Sequence, residues 1–133
     1  MSLPVAPAGA SIGLDLVSVP RFADRLASGG ERLLARLFTA AERAACADRP
    51  RPAEHLAARF AAKEAAMKAL GTGWSEGVAF TDFEVVSTPG RPPTLALQGR
   101  ASEIAGRIGL RTWRVSLTHT ADVAGAVVLA LPD

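Results

Sequence analysis

The period of the apolar positions changes several times along the chain, and each change marks an element. In "SIGLDLVSV", residues 11–19, leucine and β-branched residues crowd a short run, which predicts a strand with Asp15 inside it. Pro20 opens "PRFADRLA", and proline suits a first helical position, so a helix is expected there. "GGERLLARLF" repeats the helical pattern with Leu33, Leu34 and Leu37 on one side. "TAAERAACA" starts with Thr39 and Glu42 at the spacing of a capping box. The prolines of "DRPRP" end that helix, because proline disfavours helical geometry in the residue before it.

A longer helix is predicted from about Ala53 to Leu70, in a stretch rich in Ala, Leu, Met, Lys and Glu, with Gly71 placed to cap it. "VAFTDFEVVS" and "PTLALQG" read as two strands around the turn "TPGRPP". "RASEIAGRIG" reads as a shorter helix, and "TWRVSLTH" and "VAGAVVLAL" as a hairpin across "TAD". The expected fold class is α+β: a largely antiparallel sheet packed with one long helix and several shorter ones. Residues 1–10, rich in Pro, Ala and Gly, are expected to form a mobile tail, and residues 11–133 a single domain.

Composition narrows the function classes. The chain has 133 residues, 49% of them apolar, enough for one domain with a real core. A single cysteine, Cys46, permits no internal disulfide and no cysteine-rich metal site. The net charge is +2, the basic residues are dispersed and tyrosine is absent, so a nucleic-acid surface is not expected. No apolar run reaches the ~18 residues of a membrane span, and the opening residues lack a basic signal region, so the expected location is the cytoplasm.

The basic residues are nearly all arginine, yet the only two lysines, Lys63 and Lys68, flank Glu64 on the long helix. At ~100° per residue Leu56, Phe60, Met67 and Leu70 form an apolar stripe that contains Lys63 and has Glu64 at its flank. One reading is a surface Glu–Lys pair, with Lys63 extending its ammonium out to water. The other is a phosphate site, since lysine is a compact point charge that approaches phosphate closely. "GTG" after the helix offers backbone amides and the Thr72 hydroxyl to an anion. Asp15, in an apolar strand, either faces solvent, pairs with an arginine, or joins Glu64 as a carboxylate pair suited to Mg²⁺. The last choice points to metal-assisted phosphoryl transfer. His119, between Thr118 and Thr120 at a strand end, is placed to donate to a phosphate.

Taken together, "GLDLVSVPRF", "RFAAKEAAMKALGTG", "FTDFEVV", the Gly-Arg-Pro of "PGRPPTLAL" and "VSLTHTADVAGAVVL" resemble the holo-[acyl-carrier-protein] synthases, the small single-domain group of 4′-phosphopantetheinyl transferases. The resemblance runs from about Gly13 to Leu129. It implies transfer of 4′-phosphopantetheine from coenzyme A to a serine of an acyl carrier protein. It also implies a homotrimer with each site between neighbouring subunits. Matched by motif, Asp15 and Glu64 are the Mg²⁺ ligands, and Lys68 stands near the reacting phosphate. Glu64 is the residue expected to accept the serine proton. Arg59, Lys63, Lys68, Gly71, Thr72, Thr118 and His119 match segments that contact coenzyme A. Arg21 matches a basic position used against acidic carrier proteins, and Arg25 extends that patch. Ser18 departs from the pattern, standing where the family commonly has an acidic residue. A coenzyme A or nucleotide binding module without turnover, and a purely structural trimer, are the alternatives.

Overall fold

The structure is a computed structural model, and it describes residues 9–73 and 75–133. Of the predicted tail, residues 1–8 lie outside the described residues. The elements run β1 (Ser11–Ser18), α1 (Val19–Leu37), α2 (Ala40–Ala47), α3 (Pro52–Leu70), a 3-10 turn (Phe80–Asp82), β2 (Phe83–Val86), β3 (Thr94–Leu97), α4 (Gly99–Ile108), β4 (Thr112–His119) and β5 (Val123–Leu131). The strands form two antiparallel sheets, one in the order β1-β5-β4 and the other the β2-β3 hairpin. The strand expected over "VAFTDFEVVS" is shorter than the apolar run: Phe80–Asp82 coils as a 3-10 turn, and the Asp82 carboxylate accepts from the Ala79 amide.

Helix starts and stops follow local chemistry. Ser18 caps α1 by accepting from the Arg21 amide. The two helical patterns predicted on either side of the glycines form one element broken at Gly30, whose φ of 63° and ψ of −153° only glycine adopts without strain. Thr39 and Glu42 form the predicted capping box of α2. Gly71 ends α3 in left-handed geometry, its amide donating to the Met67 carbonyl.

α3 runs through the middle of the fold. Its alanines at 57, 58, 61, 62, 65, 66 and 69 are buried, so the helix is enclosed on several sides rather than along one stripe. Small side chains let neighbouring backbones come close, and β1 comes closest. A Cβ at Gly13 would stand 1.8 Å from the Ala65 carbonyl oxygen, so the strand reaches this position only because residue 13 has no side chain. Ser11 Oγ donates to the Ala69 carbonyl at 2.7 Å and Lys68 Nζ to the Leu14 carbonyl at 2.9 Å, pinning the strand to the helix. On the far side Phe60 stacks between Phe22 of α1 and Phe80.

The sidedness of β1 is inverted relative to an ordinary half-buried strand. Gly13, Asp15 and Val17 turn towards α3, while Ile12, Leu14 and Leu16 are 66%, 60% and 68% exposed. Val127 and Leu129, paired with Leu14 and Ile12 on β5, continue the exposed apolar face.

Lys63 corrects the sequence reading. It matches a segment expected to contact coenzyme A; instead its side chain is 0% exposed and points inward from α3. Nζ donates to Glu42 Oε1 at 2.8 Å, to the Phe83 carbonyl at 2.6 Å and to the Phe80 carbonyl at 3.0 Å. Three acceptors use all three ammonium protons and leave none for a ligand. Burial pulls the Lys63 pKa below the ordinary lysine value, and Glu42 opposes that pull. Glu42 completes the network, taking the Val85 amide at 2.9 Å on Oε2 and the Thr39 amide at 3.0 Å on Oε1.

Lys63→Met would leave the Glu42 carboxylate in the interior without its cation. Urea unfolding is expected to show a loss of about 3–5 kcal/mol. Adding Glu42→Gln removes the stranded charge and is expected to recover part of the loss. An unchanged unfolding midpoint for Lys63→Met alone would show that the pair does not hold the core.

Candidate active site

Two cavities open on different sides of α3, and they share no lining residue. The first, of about 310 Å³, is lined by Asp15, Ser18, Arg21, Arg25, Phe60 and Glu64. β1 delivers Asp15, α1 delivers both arginines, and α3 delivers Glu64. Asp15 and Glu64 are thus brought into one cavity from positions far apart in the chain. Asp15 Oδ1 lies 3.2 Å from Lys68 Nζ, and the lysine is also anchored on the Leu14 carbonyl of the same strand. Anchoring to β1 keeps a positive charge at the edge of the carboxylate pair.

The donor set of this cavity is two carboxylates with no histidine or cysteine. Among the described residues no cluster of three or more His, Cys, Asp or Glu side chains is arranged to hold a metal. Such a pair suits a hard cation that takes one or two carboxylates and fills its other positions with water and phosphate oxygens. It does not suit zinc, whose structural sites need four protein donors and whose catalytic sites commonly take three.

The second cavity, of about 680 Å³, is basic: Arg49, His55, Arg59, Arg91 and His119 line it together with Ser87. Arg59 is buried, with Nη2 on Ser87 Oγ at 2.5 Å and Nη1 on the His55 carbonyl at 3.3 Å. Its Nε is buried without a hydrogen-bond partner. Arg59, Arg49 and Arg91 together give the cavity a positive lining suited to an anion. His119 Nδ1 is 3.1 Å from Glu54 Oε1, and its ring meets the His55 ring edge-on at 4.9 Å. Burial, aided by Arg49, His119 and Arg59, lowers the His55 pKa.

The remaining sequence-predicted residues lie outside both cavities. Gly71 caps α3, and the Thr72 hydroxyl donates to the Gly73 carbonyl at 3.0 Å. Thr118 is exposed on β4, opposite Gly125. Sequence reasoning missed Arg49, Glu54, His55 and Arg91. Arg49 lies in "DRPRP", read only as a helix stop, and Arg91 in "PGRPP", read as a turn and as the Gly-Arg-Pro of the family motif but given no role of its own. Charges inside those turns were the available signal. Cys46 is buried, and burial raises its thiol pKa, as expected of a packing residue.

Residues 11–128 match the model of the 4′-phosphopantetheinyl transferase superfamily. A holo-[acyl-carrier-protein] synthase of Koribacter versatilis is 45% identical over 117 residues, covering 88% of this chain and 94% of the relative. One from Desulforudis audaxviator is 48% identical over 120 residues, covering 90% and 91%. In three dimensions the chain is similar to the Helicobacter pylori holo-[acyl-carrier-protein] synthase solved in complex with coenzyme A. That match has a TM-score of 0.78 and 28% identity and covers 90% of this chain and 98% of that one.

The contact between β1 and α3 sets the spacing of the carboxylates. Gly13→Ala would place a methyl on the Ala65 carbonyl, lift β1 and carry Asp15 away from Glu64 and Lys68. The melting temperature is expected to fall. Mn²⁺ binding, followed by its paramagnetic resonance signal, is expected to weaken about tenfold or more. Unchanged Mn²⁺ affinity would show that this spacing does not govern the pair.

Proposed function

This chain belongs to the 4′-phosphopantetheinyl transferase superfamily, and we propose that it moves the 4′-phosphopantetheine group of coenzyme A onto a serine of an apo acyl carrier protein. The observation that carries the reading is the convergence of Asp15 and Glu64 on one cavity, with Lys68 at 3.2 Å from Asp15.

The serine oxygen forms a bond to the β-phosphorus of coenzyme A as the bond from that phosphorus to the bridging oxygen breaks. Adenosine 3′,5′-bisphosphate leaves with the bonding pair, and Glu64 takes the serine proton. Lys68 offsets the charge that builds on the leaving phosphate, held by its bond to the Leu14 carbonyl so that little reorganisation is needed. Asp15 and Glu64 are the residues we assign to Mg²⁺. When bound, the ion neutralises charge on the pyrophosphate. Arg59 and His119, in the basic cavity, are assigned to the phosphates of the nucleotide end.

Arg21 and Arg25 line the same cavity as the carboxylate pair. A carrier protein held by its acidic side chains on α1 would therefore present its serine beside Asp15 and Glu64. The docking surface and the reacting centre are continuous.

Two features support a trimer with sites between neighbours. Arg59 and Glu64 are five residues apart on α3, about 140° around its axis, and line separate cavities, which favours a coenzyme A that spans two chains. The apolar face of Ile12, Leu14, Leu16, Val127 and Leu129 gives copies of the chain a surface to bury. Joined there, the carboxylate cavity of one copy and the basic cavity of its neighbour would form one complete site.

Coenzyme A, Mg²⁺ and an apo acyl carrier protein incubated with the enzyme are expected to yield a carrier heavier by one phosphopantetheine in the mass spectrum. Glu64→Gln is expected to abolish that shift while keeping the fold. An unshifted carrier with the unaltered enzyme, across a panel of apo carriers, would end the transferase reading. Arg21→Glu is expected to raise the KM for the carrier at least tenfold, with coenzyme A affinity unchanged, because two like charges now meet. Equal loss of both affinities would remove Arg21 from the docking surface.

A further inference from the structure

His119 does not stand alone in the basic cavity. Its Nδ1 is 3.1 Å from Glu54 Oε1, and the two residues are 65 positions apart in sequence. Glu54 lies in the first turn of α3, where the partial positive charge of the helix end favours a carboxylate. Its other oxygen, Oε2, takes the Arg51 side chain at 3.0 Å. The side chain of Glu54 is only 11% exposed, so water offers few competing partners.

We infer that Glu54 is a positioning residue for the transfer: it holds Nδ1–H of the His119 ring towards itself and turns Nε2 towards the basic cavity, where the doubly protonated ring donates Nε2–H to a phosphate oxygen of coenzyme A. A carboxylate only accepts, so the ring nitrogen facing it must be the protonated one. The other ring nitrogen is then the atom left for ligand. The ring that binds phosphate is the doubly protonated one, with Nδ1–H donating to Glu54 and Nε2–H to phosphate, and the carboxylate pairs with the charge that this ring carries. This is the second-shell logic by which a carboxylate sets the tautomer and direction of a functional imidazole. The His55 ring, edge-on at 4.9 Å, limits rotation of His119 from another side. The inference rests on the transferase reading for its ligand, but not for its geometry.

Glu54→Gln tests it without a large change of shape. A glutamine has one acceptor where the carboxylate has two, and Arg51 and His119 would compete for it. If the amide oxygen turns to Arg51, the NH₂ group faces Nδ1 and forces the proton to Nε2. Nitrogen NMR of the labelled protein without ligand is expected to show His119 protonated at Nδ1 in the unaltered chain, with that preference lost in Glu54→Gln. A ring carrying its proton at Nε2 alone in the unaltered chain would overturn the inference whatever the enzyme does.

Kinetics supply the second arm. Glu54→Gln is expected to raise the KM for coenzyme A about tenfold, because without the carboxylate the ring meets phosphate as a neutral donor and loses the charge-assisted bond, leaving the KM for the carrier protein unchanged. In a His119→Ala chain, adding Glu54→Gln is expected to change nothing further, because Glu54 acts through the ring. If the two effects instead multiply, Glu54 acts by some other route and the positioning role fails. An unaltered enzyme that transfers normally beside a Glu54→Gln chain of equal KM would refute this role alone. An unaltered enzyme that transfers nothing would refute the transferase reading and, with it, the ligand assigned to Nε2.

Discussion

The rest of the structure depends on how closely β1 lies on α3. Gly13 has no side chain where the Ala65 carbonyl stands, and the alanines beneath it leave the helix surface nearly flat. The strand can therefore turn a carboxylate towards the helix and accept a lysine from it. Asp15 and Lys68 meet by backbone proximity, with Lys68 also bonded to the strand it approaches. Long side chains between the two elements would have filled the space the site now occupies. The inversion of β1 follows from the same contact: with the inner face given to Gly13 and Asp15, the leucines and isoleucine of the strand turn outward. A chain that spends its apolar strand residues on the surface gains the burial back only against another surface.

The other side of α3 is held differently. There the Lys63–Glu42 pair joins three elements in the dry interior: Glu42 closes the cap of α2, Lys63 collects the carbonyls at the start of β2, and Glu42 takes the Val85 amide. Such a pair offers little net stability against an apolar replacement, but half of it alone is costly, so it specifies one arrangement of these elements over others. β2 leads directly into Ser87–Arg91, the wall of the basic cavity, and Ser87 takes the guanidinium of Arg59. The interior pair thereby sets where that wall stands relative to the helix.

The fold was largely legible because its elements carry local signals: the Thr39–Glu42 box, the glycine cap at 71, the paired glycines before Glu31 and the short hairpin between His119 and Val123. The convergence of Asp15, Glu64 and Lys68 was legible through motif and residue type. Burial was not. Lys63 sits on the apolar stripe, and periodicity cannot tell a lysine reaching outward from one reaching inward; only its partner decides, and Glu42 lies 21 residues away. Glu54 and Arg49 were overlooked for a related reason, and Arg91, quoted within the Gly-Arg-Pro motif, was given no role of its own. Each lies in a segment whose proline or glycine explains its shape, so the charge beside the turn looked incidental. Spacing along one helix gives neighbours on that helix, whereas the basic cavity is assembled from α3, β4 and two connecting loops.

The two lysines among so many arginines have a common physical basis, although one is buried and the other exposed. Lys63 needs three donors on one compact atom, directed to a carboxylate and two carbonyls that surround it; the flat fork of a guanidinium would not converge on them in so small a space. Lys68 must reach a backbone carbonyl and a carboxylate on the same strand while leaving a donor for the open side of the site. Arginine serves where the chain offers a broad, always-charged surface, as at Arg21, Arg25 and Arg49, and where a fork meets several acceptors, as at Arg59. α3 therefore carries three separate chemistries on its faces: a sealed cation inward, a carboxylate and an ammonium towards β1, and a guanidinium with a histidine-holding carboxylate towards the basic cavity. Alanine fills the positions between them because a helix hemmed in on so many sides has room for little else.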